Sequence, residues 1–313
     1  MSEEPGRIPS RGKEKPPEGI PGKNEAHLLA EIWKVLKKDK TAFCGFFVIL
    51  GLMGVALLAP WIAPYDFSEQ HIVYSFKGPS PRFWLGTDEF GRDLLSRIIW
   101  GTRPALLVGV LSVLVSIGIG VPIGVTAGYK LGWIDRAVTW LVDIMLSFPS
   151  LLLGLMIVTL MGHGLYKVIF AIGFPHIAQY IRLARAPTMA LRNHDFVRAT
   201  QALGAGDLRI IFRHILPNIL GPIIIMGTLS IAAAIRMEAS LSFLGLGIQP
   251  PAPSWGNMIR EGVANILQSP YLALFPGLVL TFAVLAFNMV GDSLRDIFDP
   301  RILLGRKIKR ISK

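Results

Sequence analysis

Residues 42–63 read AFCGFFVILGLMGVALLAPWIA, a run without a single charge. A helix of that length covers the roughly 30 Å of a bilayer's hydrocarbon core. A cleaved secretory signal has a shorter apolar region and starts nearer the first residue, so the run reads as a true span. It decides the fold class, an all-α integral membrane protein. The composition agrees. Of the 313 residues, 52% are hydrophobic and only 17% charged, against about 25% charged in soluble domains. Cys44 is the one cysteine, which excludes a disulfide scaffold.

Outward from this run, five more apolar segments follow at 104–129, 137–161, 168–181, 219–235 and 272–290. The expectation is therefore six transmembrane helices within a membrane domain over 42–301. Segments four and five are short against the norm of about 20 residues. Pro122, Pro149, Pro175 and Pro276 fall inside segments, and broken helices suit a cavity at membrane depth. Gly120, Gly124 and Gly128 recur every fourth residue, so they share one helix face and let another backbone approach. Before the first span, residues 1–25 are polar and Pro-rich and read as a disordered tail. Residues 26–41 set Leu28, Leu29, Ile32, Trp33 and Leu36 beside four lysines, the pattern of an amphipathic helix lying on membrane lipid. Residues 302–313 form a basic tail.

The net charge is +11. Six spans put both termini on one side, and that side then holds 24 of the 32 Lys and Arg. The bias marks it as the cytoplasmic side, with both termini there. The basic balance is thus a topology signal, and no nucleic-acid partner is expected. On the outer side, Asp88–Trp100 places Phe90, Leu94, Leu95, Ile98 and Ile99 at helical spacing, which predicts an amphipathic helix on the outer face containing Asp88, Gly91, Arg92, Asp93 and Arg97. Asp143 is the one acid well inside a span and needs a partner, for which Arg182 and Arg185 are the candidates. Arg236 and Glu238 flank the outer end of segment five and either line a path or pair with each other.

Chemistry is absent from the motif record. No phosphate-binding loop, H-E-x-x-H or G-x-S-x-G occurs, and the six histidines are scattered. No catalytic residue, metal or cofactor is expected in this chain. If ATP drives transport, ATP and Mg are held by another chain. The most informative loop lies between segments four and five, where residues 196–218 read FVRATQALGAGDLRIIFRHILPN. Gly204 suits a helix stop and Asp207 an N-cap for a helix over 208–215, which Pro217 ends. Two short helices on a Gly-Ala-Gly elbow would form a docking element for a soluble partner.

This loop resembles the cytoplasmic coupling loop of ABC importer permeases, with the pattern Glu-Ala-Ala, three residues, Gly, nine residues, then Ile-x-Leu-Pro. Ala199, Gly204, Leu216 and Pro217 match it, while Arg198, Thr200 and His214 depart from it. Three more blocks resemble the dipeptide/oligopeptide/nickel permeases: LGTDEFGRDLLSRIIWGTR (85–103), EASLSFLGLGIQPPAPSWGNMI (238–259) and FNMVGDSLRDIFDPR (287–301). The first of these points to the C-type subunit. The resemblance implies the fold of a type I importer permease with a coupling helix, in a plasma (inner) membrane. It implies a homologous B-type permease, two cytoplasmic nucleotide-binding ATPase subunits and an extracytoplasmic substrate-binding protein as partners. It implies transport of di- or oligopeptides, or of nickel. By the same resemblance, Ala199, Gly204, Ala205 and Asp207 meet the ATPase, and the outer helix is the candidate contact for the binding protein or gate. Two other classes remain. A self-contained transporter or channel needs more intramembrane polar groups than Asp143 supplies, and a membrane enzyme needs a catalytic set.

Overall fold

The computed structural model describes residues 39–298. The expected tails (1–25 and 302–313), and the surface helix but for its last residues, lie outside the described residues. Helix α1 (Lys40–Ile62) starts at Asp39, whose carboxylate accepts from the Thr41 backbone N–H at 3.0 Å. Pro60 lies inside α1 and has no N–H for the Ala56 carbonyl. The Arg103 guanidinium donates to that oxygen at 2.5 Å and to the Leu57 carbonyl at 3.2 Å. A free acceptor and a charged donor in apolar surroundings thus satisfy each other.

Helix α2 (Leu94–Lys130) is a single element of 37 residues, about 55 Å long. The separate outer helix expected over Asp88–Trp100 is not there. Asp88–Asp93 is instead a tight turn, closed by an isolated bridge between Thr87 and Asp93. Gly91 takes φ +71°, and a Cβ there would lie 1.9 Å from the His71 carbonyl oxygen. Helix begins only where Asp93 caps it, accepting from the Ser96 N–H at 2.8 Å. The apolar residues Leu94 and Ile98 are therefore the first turns of the span and are buried in it.

The third expected segment is broken. Helices α3 (Gly132–Ser147) and α4 (Ser150–Met161) meet at 92°. Pro149 forces the preceding Phe148 into extended backbone, φ −97° and ψ 138°, and the helix stops. Helix α5 (Leu165–Arg192) is twice the length of the expected fourth segment. It packs along α2 more extensively than any other pair of elements. The glycine stripe explains why. A Cβ at Gly120, Gly124 or Gly128 would lie 2.8, 2.4 or 2.5 Å from the carbonyl oxygen of Ile177, Ile181 or Arg185. Three missing side chains bring the two backbones together. Ser116 then donates across the crossing to the Gly173 carbonyl at 2.8 Å.

After α6 (Asp195–Ala202) and a short connection, α7 (Asp207–Ile210), a π-helical turn (Ile211–Ile215) and α8 (Leu216–Phe243) run on as one rod. The expected stop at Pro217 does not occur. The wider π turn immediately before it absorbs the ring, which an α-helix would drive into the carbonyl four residues back. Helix α9 (Trp255–Ala264) folds back on α8, and α10 (Tyr271–Phe298) closes the bundle against α1 and α8.

Among the described residues, four helical lengths are long and apolar enough to cross a membrane: Lys40–Ile62, Leu94–Lys130, Asp207–Phe243 and Tyr271–Asp296. The bent pair α3–α4 makes a fifth if counted as one. Helix α5 falls outside this set, since Lys167, Arg182, Arg185 and Arg192 dilute it. Its neighbours enclose it, so it has little need of a lipid-facing surface. The bundle has two distinct ends, a cap end built from residues 64–97 and 238–264, and an elbow end built from residues 192–213.

Candidate functional site

At the elbow end, α6 stops where Gly204 enters left-handed backbone at φ +80°. The Leu203 and Gly204 N–H groups return to the carbonyls of Ala199 and Gln201, at 3.1 and 2.9 Å. This is the glycine stop that the loop's spacing predicts. Nothing lies within 4 Å of a Cβ built on Gly204, so conformation rather than space requires glycine there. Asp207 departs from expectation. Gly206 is the N-cap of α7, with no side-chain cap bond. The Asp207 carboxylate instead accepts from the Tyr129 hydroxyl at 3.1 Å and the Lys130 ammonium at 2.5 Å. Gln201 donates to the same Tyr129 oxygen at 3.1 Å. The elbow is thus tied on both of its short helices to the last turn of α2. Asp207 stands at the tip of its rod, beyond the apolar run 219–235. There the hydrogen bond from Lys130, then that from Tyr129, hold its carboxyl below the usual carboxylate range.

The outer surface of this elbow is uncovered and apolar. Leu203 is 88% exposed, Leu208 72% and Phe212 65%. Beside them lies a cleft of about 450 Å³ lined by Thr200, Leu203, Gly204, Arg209, Arg213 and His214. Ala199 and Arg198 are exposed, Ala205 is half-buried and packs on the core, and Leu216 and Pro217 lie farther along the rod. Tyr129, Lys130 and Gln201 escaped sequence reasoning. A Tyr-Lys pair closing a long uncharged run was the available signal.

At the cap end the five residues assigned to an exposed outer contact are all buried. Asp88 accepts from the backbone N–H groups of Phe90 and Arg92, both at 2.9 Å, and from Arg92 Nε at 2.6 Å. Its second oxygen also accepts from Arg97 Nη1, which reaches Glu261 Oε2 at 2.9 Å. Asp93 accepts from Ser96 Oγ at 2.7 Å. These contacts bind the turn to α2 and α9, while Arg97 Nε stays buried without a partner among the described residues. Exposed apolar groups of the cap end include Ile72, Val73, Trp84 and Phe90. Glu261 was not singled out in the sequence, where it has no local signature.

Arg236 and Glu238 do not pair. Two positions apart on a helix, they face different ways. Glu238 is 1% exposed and accepts from Ser242 Oγ at 2.7 Å and Ser254 Oγ at 2.9 Å. It pins the connection from α8 to α9 and lines no path. Arg236 is exposed. Of the two candidate partners of Asp143, Arg182 meets it at 2.9 Å. Arg185 turns to Asp135, donating through Nε and, at 2.7 Å, through Nη2.

Comparison with known proteins agrees with this architecture. Residues 120–304 match the binding-protein-dependent transport system inner membrane component, and residues 27–79 match the N-terminal TM domain of oligopeptide transport permease C. The chain is 43% identical over 280 residues to the di/tripeptide transport system permease protein DppC of Pseudomonas aeruginosa, covering 88% of this chain and 92% of that one. It is 41% identical over 272 residues to the dipeptide transport system permease protein DppC of Alkalihalophilus pseudofirmus, covering 87% and 90%. It is 40% identical over 275 residues to the glutathione transport system permease protein GsiD of Pectobacterium atrosepticum, covering 87% and 91%. Among solved structures, an inward-facing form of the MetNI methionine ABC transporter aligns with TM-score 0.54 at 18% identity, covering 66% of this chain and 98% of that one. That likeness concerns the fold alone. With its membrane helices, its glycine elbow and these relatives, the chain belongs to the inner-membrane components of binding-protein-dependent transport systems, as an OppC-type ABC permease subunit and not the ATPase.

Proposed function

We propose that the chain forms half of a translocation pore for small peptides, with a homologous B-type permease as the other half. It makes six crossings: α1, α2, the bent pair α3–α4, α5, α8 and α10. The charge bias supports placing the elbow end and both termini in the cytoplasm. Two ATPase subunits dock there and hold ATP and Mg, and this chain carries no cofactor. A substrate-binding protein delivers cargo from outside to the cap end. The names of the relatives, covering dipeptides, tripeptides and glutathione, support a short peptide as cargo.

The observation that carries this reading is the uncovered elbow. A left-handed glycine presents Leu203, Leu208 and Phe212 as an apolar knob with Arg209 and Arg213 beside it. Exposed apolar patches rimmed by polar groups mark protein contacts. When the ATPase dimer closes on nucleotide, the elbow moves with it, and Tyr129 passes that movement to α2. The thermodynamic requirement is that nucleotide binds one arrangement of the whole better than the other.

Mild-detergent purification from the native membrane tests it. A second permease and a nucleotide-binding ATPase are expected to co-purify, and ATP depletion is expected to stop uptake. Gly204→Asp should strain the left-handed elbow locally and lose the ATPase while the helical bundle keeps its helix content. If the chain purifies alone and transports without ATP, a self-contained transporter replaces this reading.

A further inference from the structure

Arg103, Arg182, Arg185 and Arg236 all lie about two turns or more inside the long helices. Three of them are satisfied within the chain. Arg103 donates to α1 carbonyls, Arg182 to Asp143 and Arg185 to Asp135. Arg236 makes no ion pair and no side-chain hydrogen bond among the described residues. Glu238, its nearest acid along the chain, is already held by Ser242 and Ser254.

Arg236 lines a shallow, open cleft of about 350 Å³ at the cap-end third of α8. Its walls include Leu151 of α4, Phe243 of α8, Ile259 of α9 and Leu280 of α10. Leu280 marks its inner limit, because it stands near the midpoint of the uncharged run 272–290, while Ala239, Phe243, Leu244 and Ile259 belong to the cap end. The cleft therefore runs from the cap end toward the middle of the span. Ser240 is the other polar side chain in the lining, and its hydroxyl is given to the Arg236 carbonyl at 2.9 Å. An unpaired arginine two turns inside a membrane helix faces water, a path or a partner rather than lipid.

We propose that Arg236 is a cargo-binding residue of the translocation path, pairing with the carboxylate of a short peptide as it passes. This rests on the pore reading above. A planar guanidinium in a low-dielectric cleft matches a carboxylate in shape and charge. The rest of the lining is apolar and carries no acid, so it places no demand on the peptide's amino end. Recognition is one-ended. It senses the carboxylate that every peptide has and tolerates varied side chains against a greasy wall.

The test uses the full importer, with both permeases, the ATPases and the binding protein, reconstituted in proteoliposomes. Uptake of alanyl-alanine and of its C-terminal amide is measured in wild type, Arg236→Gln and Arg236→Lys, alongside ATP hydrolysis stimulated by the binding protein. Arg236→Gln is expected to cut uptake of the free acid about tenfold or more, the scale of one charge-assisted hydrogen bond. Stimulated ATP hydrolysis should stay within about twofold. The acid-to-amide ratio should fall by the same factor, since any preference of the binding protein is common to all three and cancels. Arg236→Lys should recover most of the ratio. An unchanged ratio in Arg236→Gln overturns the proposal and assigns the side chain to a lipid phosphate or a structural contact. Loss of the second permease on purification overturns it in favour of an acid on that partner. If wild type carries neither probe while ATP hydrolysis still responds to the binding protein, the peptide-cargo reading falls and takes this proposal with it. If no ATPase co-purifies at all, the importer reading itself has failed.

Discussion

The two ends of this bundle use charge in opposite ways. At the cap end buried Asp88, Arg92 and Arg97 close on one another and on half-buried Glu261, joining the turn before α2 to α9. At the elbow end Lys130 and Asp207 are each about half exposed, and the apolar groups beside them are bare. A buried network of this kind holds one arrangement, because removing a partner leaves a charge stranded away from water. An exposed pair contributes little to stability and can be remade cheaply. The cap end is built to stay together, and the elbow end to be completed by something else.

The largest expected effect breaks the cap. Asp88→Asn removes the charge and the oxygen that Arg92 Nε and Arg97 Nη1 share, and should cost about 3–5 kcal/mol. A melting curve in detergent would show it as a much lower midpoint with the same helix content before melting. A midpoint equal to wild type would mean the network is ornamental and the two ends do not differ as described. A smaller effect is expected from Tyr129→Phe at the other end. It removes a buried hydroxyl bonded to Gln201 and Asp207, and should cost about 1 kcal/mol in stability. Its sharper signature is functional. ATP hydrolysis should persist while uptake falls, because the elbow is no longer held to α2. Equal losses of both activities would show that the hydroxyl serves the fold alone.

The smallest effect concerns pH. The folded Asp207 carboxyl titrates below its ordinary range, so the Lys130 pair adds its full stability above the unfolded carboxyl's pKa. That contribution is lost as pH falls through the lower, folded pKa. Asp207→Asn should therefore melt slightly below wild type near neutrality, and the two curves should converge in acid. A gap that persists in strong acid would assign the difference to the side chain's packing instead of its charge.

Much of the scaffold was legible before any coordinates. Runs without charge, such as 42–63 and 272–290, mark helices because lipid leaves little alternative. The glycines at 120, 124 and 128 announce a close crossing by their period. The elbow stop at Gly204 follows from a residue type and its neighbours. What was hidden depends on distance or context. Pro149 was visible, but the 92° bend it permits is set by what α3 and α4 pack against. The turn at Asp88–Asp93 looked helical because its downstream residues are. Its true partner, Glu261, is reached by an arginine 164 positions away. Helix α5 was cut short in the reading because its charges were judged against lipid, although the protein itself covers most of it.

Pro60 and Arg103 carry one last consequence. Each alone is a blemish in a membrane helix, a missing donor in α1 and a cation in α2. Joined, they are a single satisfied contact. The two positions are therefore expected to be inherited as a unit. Pro60→Ala returns the Ala56 carbonyl to its own helix and leaves the guanidinium only the Leu57 carbonyl and the Trp100 ring, whereas Arg103→Leu orphans the Ala56 carbonyl. A lineage that loses one gains by losing the other.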